Sequence, residues 1–161
     1  MFREMRRFKQ GLATMEIDAV LNRNSSGVLA LNGDDGYPYT VPLNYVYHDG
    51  KIIFHGAKTG HKIDAINNSS KASFCVIDKD DVVAKEFTSK FRSVVAFGKV
   101  TLICDDVLKQ KTIELLSLKY SSKYMKEAYK LIDDEWNFFQ MFELEIEHIT
   151  GKESTKLMMN K

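Results

Sequence analysis

Apolar and polar residues alternate most regularly near the C-terminal end of the chain. Phe142, Leu144 and Ile146 are each followed by a glutamate. A period of two with a single apolar face is typical of a half-buried antiparallel strand. The pattern therefore predicts a final strand whose apolar side chains face the core.

Five further segments are rich in apolar, β-branched or aromatic residues and are bounded by turn signals. They are Val28–Leu31, Tyr39–Tyr47, Lys51–His55, Lys71–Ile77 and Ser93–Ile103. Asp49-Gly50 predicts a tight hairpin between the second and third of these strands, because a type I′ turn needs positive φ at both central residues. Gly98 predicts a bulge or a sharp bend in the longest strand. The segment from Asp78 to Arg92 is polar and gives no clear pattern.

Helical spacing of apolar residues occurs in three places. Ile17, Val20 and Leu21 follow Thr14, which is a suitable N-cap. Ile63 and Ile66 predict a short helix after a loop, and residues 105 to about 130 carry a longer helical pattern. Six strands with hairpin connections and few helices predict an α+β fold built on a closed or nearly closed antiparallel β-barrel. The chain shows no βαβ pattern, so a doubly wound nucleotide-binding fold is not expected.

Composition and charge narrow the function classes. The 161 residues carry a formal net charge of +1, which argues against nucleic-acid binding through bulk positive charge. We expect the basic residues between Arg3 and Lys9 to form a solvated arm. No segment approaches the ~20 apolar residues of a membrane span, and no apolar leader segment follows Met1, so we expect a cytoplasmic protein. Cys75 and Cys104 lie in apolar segments and are expected to be buried thiols.

The segment from Gly56 to Lys62 is the clearest candidate for chemistry. It resembles a P-loop, but its glycine spacing is one residue short and no Lys-Ser/Thr pair ends it. Lys58, His61 and Lys62 nevertheless precede a predicted helix, and a helix N-terminus with cationic side chains can bind a phosphate. The alternative interpretation is a solvated connector with ordinary charges.

Other single features are ambiguous. Pro42 lies within a predicted strand, which indicates a strand edge or a backbone turned toward a ligand. The four histidines have no metal-ligand spacing, so no metal site is predicted, and a lone strand histidine such as His55 is more often structural than catalytic. The aromatic run from Trp136 to Phe139 indicates core or subunit interface, with flavin stacking as the alternative.

Taken in order, the segments resemble the pyridoxamine phosphate oxidase-like split-barrel superfamily, and most closely its nitroimidazole-reductase (Nim-type) branch. The matching segments are Met5-Arg6-Arg7, Gly27–Leu31, Tyr39–Tyr45, Gly50–Ala57, Gly60–Asp64, Ser93–Val100 and Ile146–Lys152. The resemblance implies a six-stranded antiparallel split β-barrel with flanking helices. It also implies a single FMN-binding domain over residues 1–161, with a core of about 5–152.

The resemblance further implies a homodimer with FMN at the subunit interface. The ring would lie against Val41, Pro42, Leu43, Asn44 and Tyr45 and against the end of the third strand at His55, Gly56 and Ala57, and the phosphate near His61 and Lys62. Many members carry arginine where this chain has His61, and imidazole is a weaker, pH-dependent phosphate partner.

The leading hypothesis is therefore an FMN-dependent oxidoreductase that reduces a small-molecule acceptor such as a nitroimidazole-type compound, with NAD(P)H as a candidate donor. Asn44 and Ser93 are candidates for polar contacts to the ring, and His55 for a catalytic proton or substrate contact. The alternative is a non-catalytic flavin or haem binding protein used for carriage or sensing. Pyridoxamine phosphate oxidation is less favoured, because no basic cluster suits a second phosphate.

Overall fold

The alternating segments form one antiparallel sheet in a computed structural model, which describes residues 1–159. The strands are β1 (Ser26–Asn32), β2 (Pro38–Asn44), β3 (Val46–His48), β4 (Lys51–Ala57), β5 (Lys71–Val83), β6 (Thr88–Leu102) and β7 (Phe139–Glu153). The α-helices are α1 (Thr14–Arg23), α2 (His61–Asn68), α3 (Asp106–Ser121), α4 (Met125–Glu135) and α5 (Thr155–Met158). None of these helices is long and apolar enough to cross a membrane.

The strand order is β2-β1-β5-β6-β7-β4-β3, so the two edge strands are consecutive in the chain. Only Tyr45 separates β2 from β3. Because one residue spans only a few ångströms, the sheet must curl until its edges approach each other at this point. No ladder joins β2 to β3 in the described part of the chain. The prediction of an α+β fold is confirmed, and the barrel, which was predicted to be closed or nearly closed, is not closed within residues 1–159.

The sheet has seven strands within residues 1–159 rather than the predicted six, because the segment Tyr39–Tyr47 is broken at Tyr45. The Tyr45 N–H donates to the hydroxyl of Tyr120 at 3.0 Å, and that hydroxyl lies 2.7 Å from the Tyr45 carbonyl. The buried Tyr45 phenol donates to the Leu21 carbonyl. Contacts to two helices thus replace ladder hydrogen bonds at this residue, and the strand divides there.

The polar segment 78–92 forms a projecting pair of strands. Residues 79–83 of β5 pair with residues 88–92 of β6, and the pairing of β6 with β7 begins only at Arg92. We call residues 79–91 the β5–β6 ribbon. Its tip carries Val82, 75% exposed, and Phe87, 98% exposed with a left-handed φ of 48°. The polar sequence pattern fits this position, because the residues of the ribbon are exposed or only half-buried.

Two apolar cores lie on opposite faces of the sheet. The larger core fills the inside of the curl, where Phe54, Phe74 and Phe142 pack together beneath α1 and α2. The smaller core lies between α3–α4 and the outer face of β3, β4 and β7, and contains Ile53 and Met141. Neighbouring residues of β4 therefore serve different cores, as strand alternation requires.

The structure confirms two local predictions and corrects a third. Ile63 and Ile66 are buried, and a register shift between Phe97 and Gly98 confirms the predicted bulge. Thr14 is the first residue of α1 rather than its N-cap, and the Ala13 N–H instead bonds the Glu16 carboxylate.

The predicted long helix is two helices, α3 and α4, separated by a 3-10 turn at Ser122–Tyr124. Cys104 is exposed rather than buried, since it follows the end of β6, and Cys75 is half-buried on the outer face of the sheet.

Candidate functional site

The turn between β4 and α2 brings a glycine, a histidine and a lysine to one end of the sheet. Gly60 precedes α2 with a φ of 111°, which glycine adopts without strain. The N–H groups of Ile63 and Asp64 donate to the Gly60 carbonyl at 2.8 and 3.1 Å. The N–H groups of His61 and Lys62 have no acceptor among the described residues. They therefore remain available at the positive end of the helix dipole.

Lys62 extends from this turn toward the sheet. Its Nζ lies 5.5 Å from the centroid of the Phe142 ring and packs against Gly56, where an added Cβ would lie 2.6 Å from that atom. Burial lowers the pKa of Lys62. Lys62 forms no ion pair within residues 1–159. A half-buried ammonium without a carboxylate, next to free amides, is a site that an anion would stabilise.

His61 lies on the outer side of the same turn. Its exposed ring stacks on Tyr39 with the centroids 4.0 Å apart, and its Nε2 lies 3.6 Å from the Asp34 carboxylate. These contacts join the start of α2 to the β1–β2 turn. The predicted pair His61 and Lys62 is thus brought to one helix start, although the two side chains have different partners.

His55 lies on the opposite face of β4 from Lys62. It follows Ile53 along the outer face and pairs with Met141, whereas Gly56 and Lys62 belong to the inner face. Burial lowers the pKa of His55, and the nearby Lys62 ammonium lowers it further. His55 is therefore mainly neutral at pH 7 and can accept or donate a hydrogen bond.

The strand β2 divides the predicted ring-binding residues between two faces. Val41 and Leu43 are half-buried against the larger core, whereas Pro42 and Asn44 are exposed on the other face. Pro42 lies on an edge strand, as its residue type predicts. The Asn44 amide donates to the Ser25 carbonyl at 2.8 Å, which fixes its orientation.

A groove between α3–α4 and the sheet has a volume of about 680 Å³. We call it the α3–α4 groove. His55 and Asn44 contribute to its sheet side, and apolar residues of both helices form its walls. The predicted catalytic residue thus opens into a cavity of a size that suits a small molecule.

Lys119 and Tyr120 attach α3 to the sheet at the side of this groove. The Lys119 ammonium donates to the Asn24 carbonyl at 2.7 Å and lies 4.0 Å from the centroid of the Tyr45 ring. Burial lowers the pKa of Lys119 to about 8. The sequence analysis missed both residues, because their partners are 75 or more positions away and no local pattern marks them.

Ser93 does not join the other candidates within one chain. It pairs with Lys152 on β7, whereas His55 pairs with Met141 on the same strand. Eleven residues separate these two partners, which corresponds to roughly 35 Å along a straight strand. The remaining candidate, Ala57, ends β4 opposite Phe139 and is exposed.

Part of the aromatic run that begins at Trp136 packs within the chain. Trp136 packs edge-on against Phe139, and the Lys109 ammonium lies 4.1 Å from both ring centroids. Phe138, by contrast, is 69% exposed.

Comparisons with known proteins support the fold. A family model described as pyridoxamine 5′-phosphate oxidase matches residues 14–153. A candidate 5-nitroimidazole antibiotic resistance protein from Bacteroides thetaiotaomicron is 18% identical, with a TM-score of 0.71 over 88% of this chain and 85% of its own. The FAD and haem binding protein from Mycobacterium smegmatis is 20% identical, with a TM-score of 0.79 over 91% and 74%. A FAD-binding protein from Mesorhizobium loti is 25% identical, with a TM-score of 0.62 over 89% and 94%. No curated protein sequence matches the chain.

These matches confirm the predicted superfamily. The nitroimidazole-related structure is similar at only 18% identity, so its likeness is one of fold, and the Nim-type branch stays a prediction.

Proposed function

The chain belongs to the family described as pyridoxamine 5′-phosphate oxidase, and we propose that it is an FMN-binding oxidoreductase that reduces a small acceptor. The observation that carries this proposal is Lys62. Its half-buried ammonium has no carboxylate partner among residues 1–159 and lies against Gly56, beside two free amides at the start of α2. A phosphate would neutralise that charge and accept hydrogen bonds from those amides.

The residues present fit the rest of such a cofactor. Lys62 and His61 would hold the phosphate, while Gly56 and Ala57 would leave space beside β4. On β2, exposed Pro42 and Asn44 offer an apolar surface and a fixed polar group. Val41, Leu43 and Tyr45 would support the cofactor indirectly, because their packing in the core holds β2 in place.

The bound flavin would supply the electron transfer, and the protein would supply position and electrostatics. His55 is the residue that we assign to catalysis. Its lowered pKa keeps the imidazole neutral at pH 7, and it opens into the α3–α4 groove. A neutral imidazole in that place can hold a small acceptor and give or take a proton as the acceptor is reduced.

FMN is favoured over FAD because the chain offers a site for one phosphate and no recognisable site for a pyrophosphate. The start of α2 is a single short anion site, and the chain has no Rossmann fingerprint for a pyrophosphate. The two FAD-binding relatives make FAD the natural competitor.

A homodimer is part of the proposal. Ser93 reaches the site around His55 only if a second copy supplies it, because the two lie near opposite ends of β7's ladders. The outer face of the sheet also leaves apolar side chains uncovered, including Ile77 at 63% exposure and Phe97 at 39%. Two copies related by a two-fold axis would bring Ser93 of each to the His55 end of the other.

The rival function is carriage of a flavin or a haem without turnover. The likeness to a FAD and haem binding protein favours keeping this candidate. The two functions differ in whether an external donor and an acceptor exchange electrons through the bound group.

Anaerobic addition of NADH or NADPH to the flavin-loaded protein separates the two functions. We expect bleaching of the flavin absorbance, followed by reoxidation when a nitroaromatic acceptor is added. His55→Gln should slow the reoxidation by about tenfold or more, with flavin affinity changed far less. Tight flavin binding with no reduction by either donor would support carriage and contradict the oxidoreductase.

A further inference from the structure

We infer that the α3–α4 groove is a binding site for small, largely apolar molecules that are neutral or cationic, and that it rejects anionic ones. The assignment of this groove as the acceptor subsite rests on the proposed oxidoreductase function. The groove itself, and its preference for charge, rest only on the residues that line it.

The walls determine the apolar character of the ligand. Ile113 and Leu116 come from α3, Leu131 and Ile132 from α4, and Phe139 from the start of β7. Leu131 is 61% exposed, so part of this surface has no cover within residues 1–159. A cavity of about 680 Å³ is within the range that holds small-molecule ligands. Such a molecule would bury the wall residues that the chain leaves open.

The lining also fixes the sign of charge. Glu127 and Glu135 both line the groove and lie on α4, eight residues apart, so they stand about 12 Å from each other along the helix. Within the described part of the chain, no lysine or arginine lines the groove. Lys62 lies on the other face of β4 with its ammonium against Phe142 and Gly56, so it does not line the groove, although its charge lowers the pKa of His55. A ligand in the groove therefore meets two carboxylates and no cationic side chain.

A single polar group is available at the sheet side. His55 makes no hydrogen bond among the described residues, whereas the Asn44 amide is already engaged by Ser25. The Tyr120 hydroxyl is likewise engaged, by the Tyr45 N–H. The ligand best suited to the groove is thus a largely apolar small molecule with one hydrogen-bonding group toward His55, and with either no charge or a positive charge toward α4.

A matched set of small probes tests this preference. The probes are 2-naphthamidine, 2-naphthamide and 2-naphthoate, which share a bicyclic ring and differ in charge. Their affinities would be measured by titration calorimetry on the flavin-free and the flavin-loaded protein. We expect the cation to bind about tenfold or more tightly than the anion, as one charge-assisted contact would give, with the neutral amide between them.

Variants locate the site. Glu127→Gln with Glu135→Gln should reduce the cation-to-anion ratio to about threefold or less, because it removes the charges that set it. Glu145→Gln makes the same change at an exposed position on β7 outside the groove and should leave the ratio unchanged. Equal binding of the naphthoate, or a ratio unaffected by the double variant, would overturn the inference.

Two further outcomes decide between neighbouring explanations. If Phe87→Ser increased probe affinity severalfold, the groove would be filled by the β5–β6 ribbon of a second copy, and a small-molecule site would be overturned. If the protein bound no flavin but still bound the cation in a manner dependent on Glu127 and Glu135, the groove site would stand. Only its assignment as the acceptor subsite would then fail, together with the proposed function.

Discussion

Replacing Lys62 by methionine should weaken FMN binding without weakening the fold. Methionine keeps the length and the apolar stem of the side chain, so contact with the Phe142 ring is largely retained. What is lost is one charge-assisted hydrogen bond to the phosphate, worth about 1.5–3 kcal/mol. That free energy corresponds to an increase in Kd of about 12- to 150-fold.

The flavin-free protein should respond in the opposite direction. Among residues 1–159 Lys62 has no carboxylate to compensate its partial burial, and burial lowers its pKa below the usual 10.5. The unfolded chain therefore binds this proton more readily than the folded chain. The Lys62 contribution to stability rises with pH as 10.5 is approached and is least favourable at neutral pH. Lys62→Met should thus leave the free energy of unfolding at pH 7 unchanged or slightly raised.

Both quantities can be measured on the same preparations. Quenching of flavin fluorescence gives the Kd for FMN, and urea unfolding of the flavin-free protein gives the free energy of unfolding. Lys58→Met is the matched control. Lys58 is exposed and lies two residues before Gly60, and its replacement removes the same charge. The control should change the Kd less than about threefold. A Kd for Lys62→Met within that same range would refute the assignment of Lys62 to the phosphate.

Three further predictions concern the fold and the assembly. Gly98→Ala should lower the free energy of unfolding by about 3 kcal/mol or prevent folding, because an added Cβ collides with the Glu145 carbonyl. Gly36 has open space around it, so Gly36→Ala should lower the free energy of unfolding by only about 1 kcal/mol, through its φ of 79°. Thermal melts of both variants check this. Burial raises the pKa of Asp78, but hydrogen bonds from Arg23 and Asn24 outweigh burial and leave the pKa lowered. Asp78→Asn should therefore lower the free energy of unfolding by about 3 kcal/mol at pH 7, and by progressively less as the pH falls below 3.8. Urea unfolding at pH 7 and pH 3 would measure this difference. Sedimentation at micromolar concentration should give twice the chain mass of 18.5 kDa, with a midpoint of unfolding that rises with protein concentration, and a monomer that keeps its flavin would contradict the shared site.

The strands were predictable wherever a single face is buried. In β7 the apolar set Phe142, Leu144 and Ile146 points to the larger core, and the local alternation alone identifies it. The division of β2 from β3 was not predictable, because the hydroxyl that replaces the ladder at Tyr45 belongs to Tyr120, 75 residues later. Likewise, strand count and hairpin connections indicate a closed or nearly closed barrel, whereas closure depends on how the edges meet around one residue.

The candidate site shows the same limit. Gly56 and Lys62 are six residues apart, so their approach is local and the glycine-bearing loop before a helix indicated it. The α3–α4 groove was invisible, because its walls form only when two helices dock on the outer face of β4 and β7. Family resemblance groups Ser93 with the other candidates, whereas the strand register separates it from His55 within one chain.

The central claim is that the start of α2 binds the phosphate of FMN, and the most direct test compares FMN with riboflavin, which has the same ring and no phosphate. The flavin-free protein would be titrated with each, and the quenching of flavin fluorescence recorded. The account predicts saturation at about one FMN per chain and riboflavin binding weaker by about tenfold or more, with that difference largely abolished in Lys62→Met. Equal affinity for the two flavins, or no quenching by either, would contradict it.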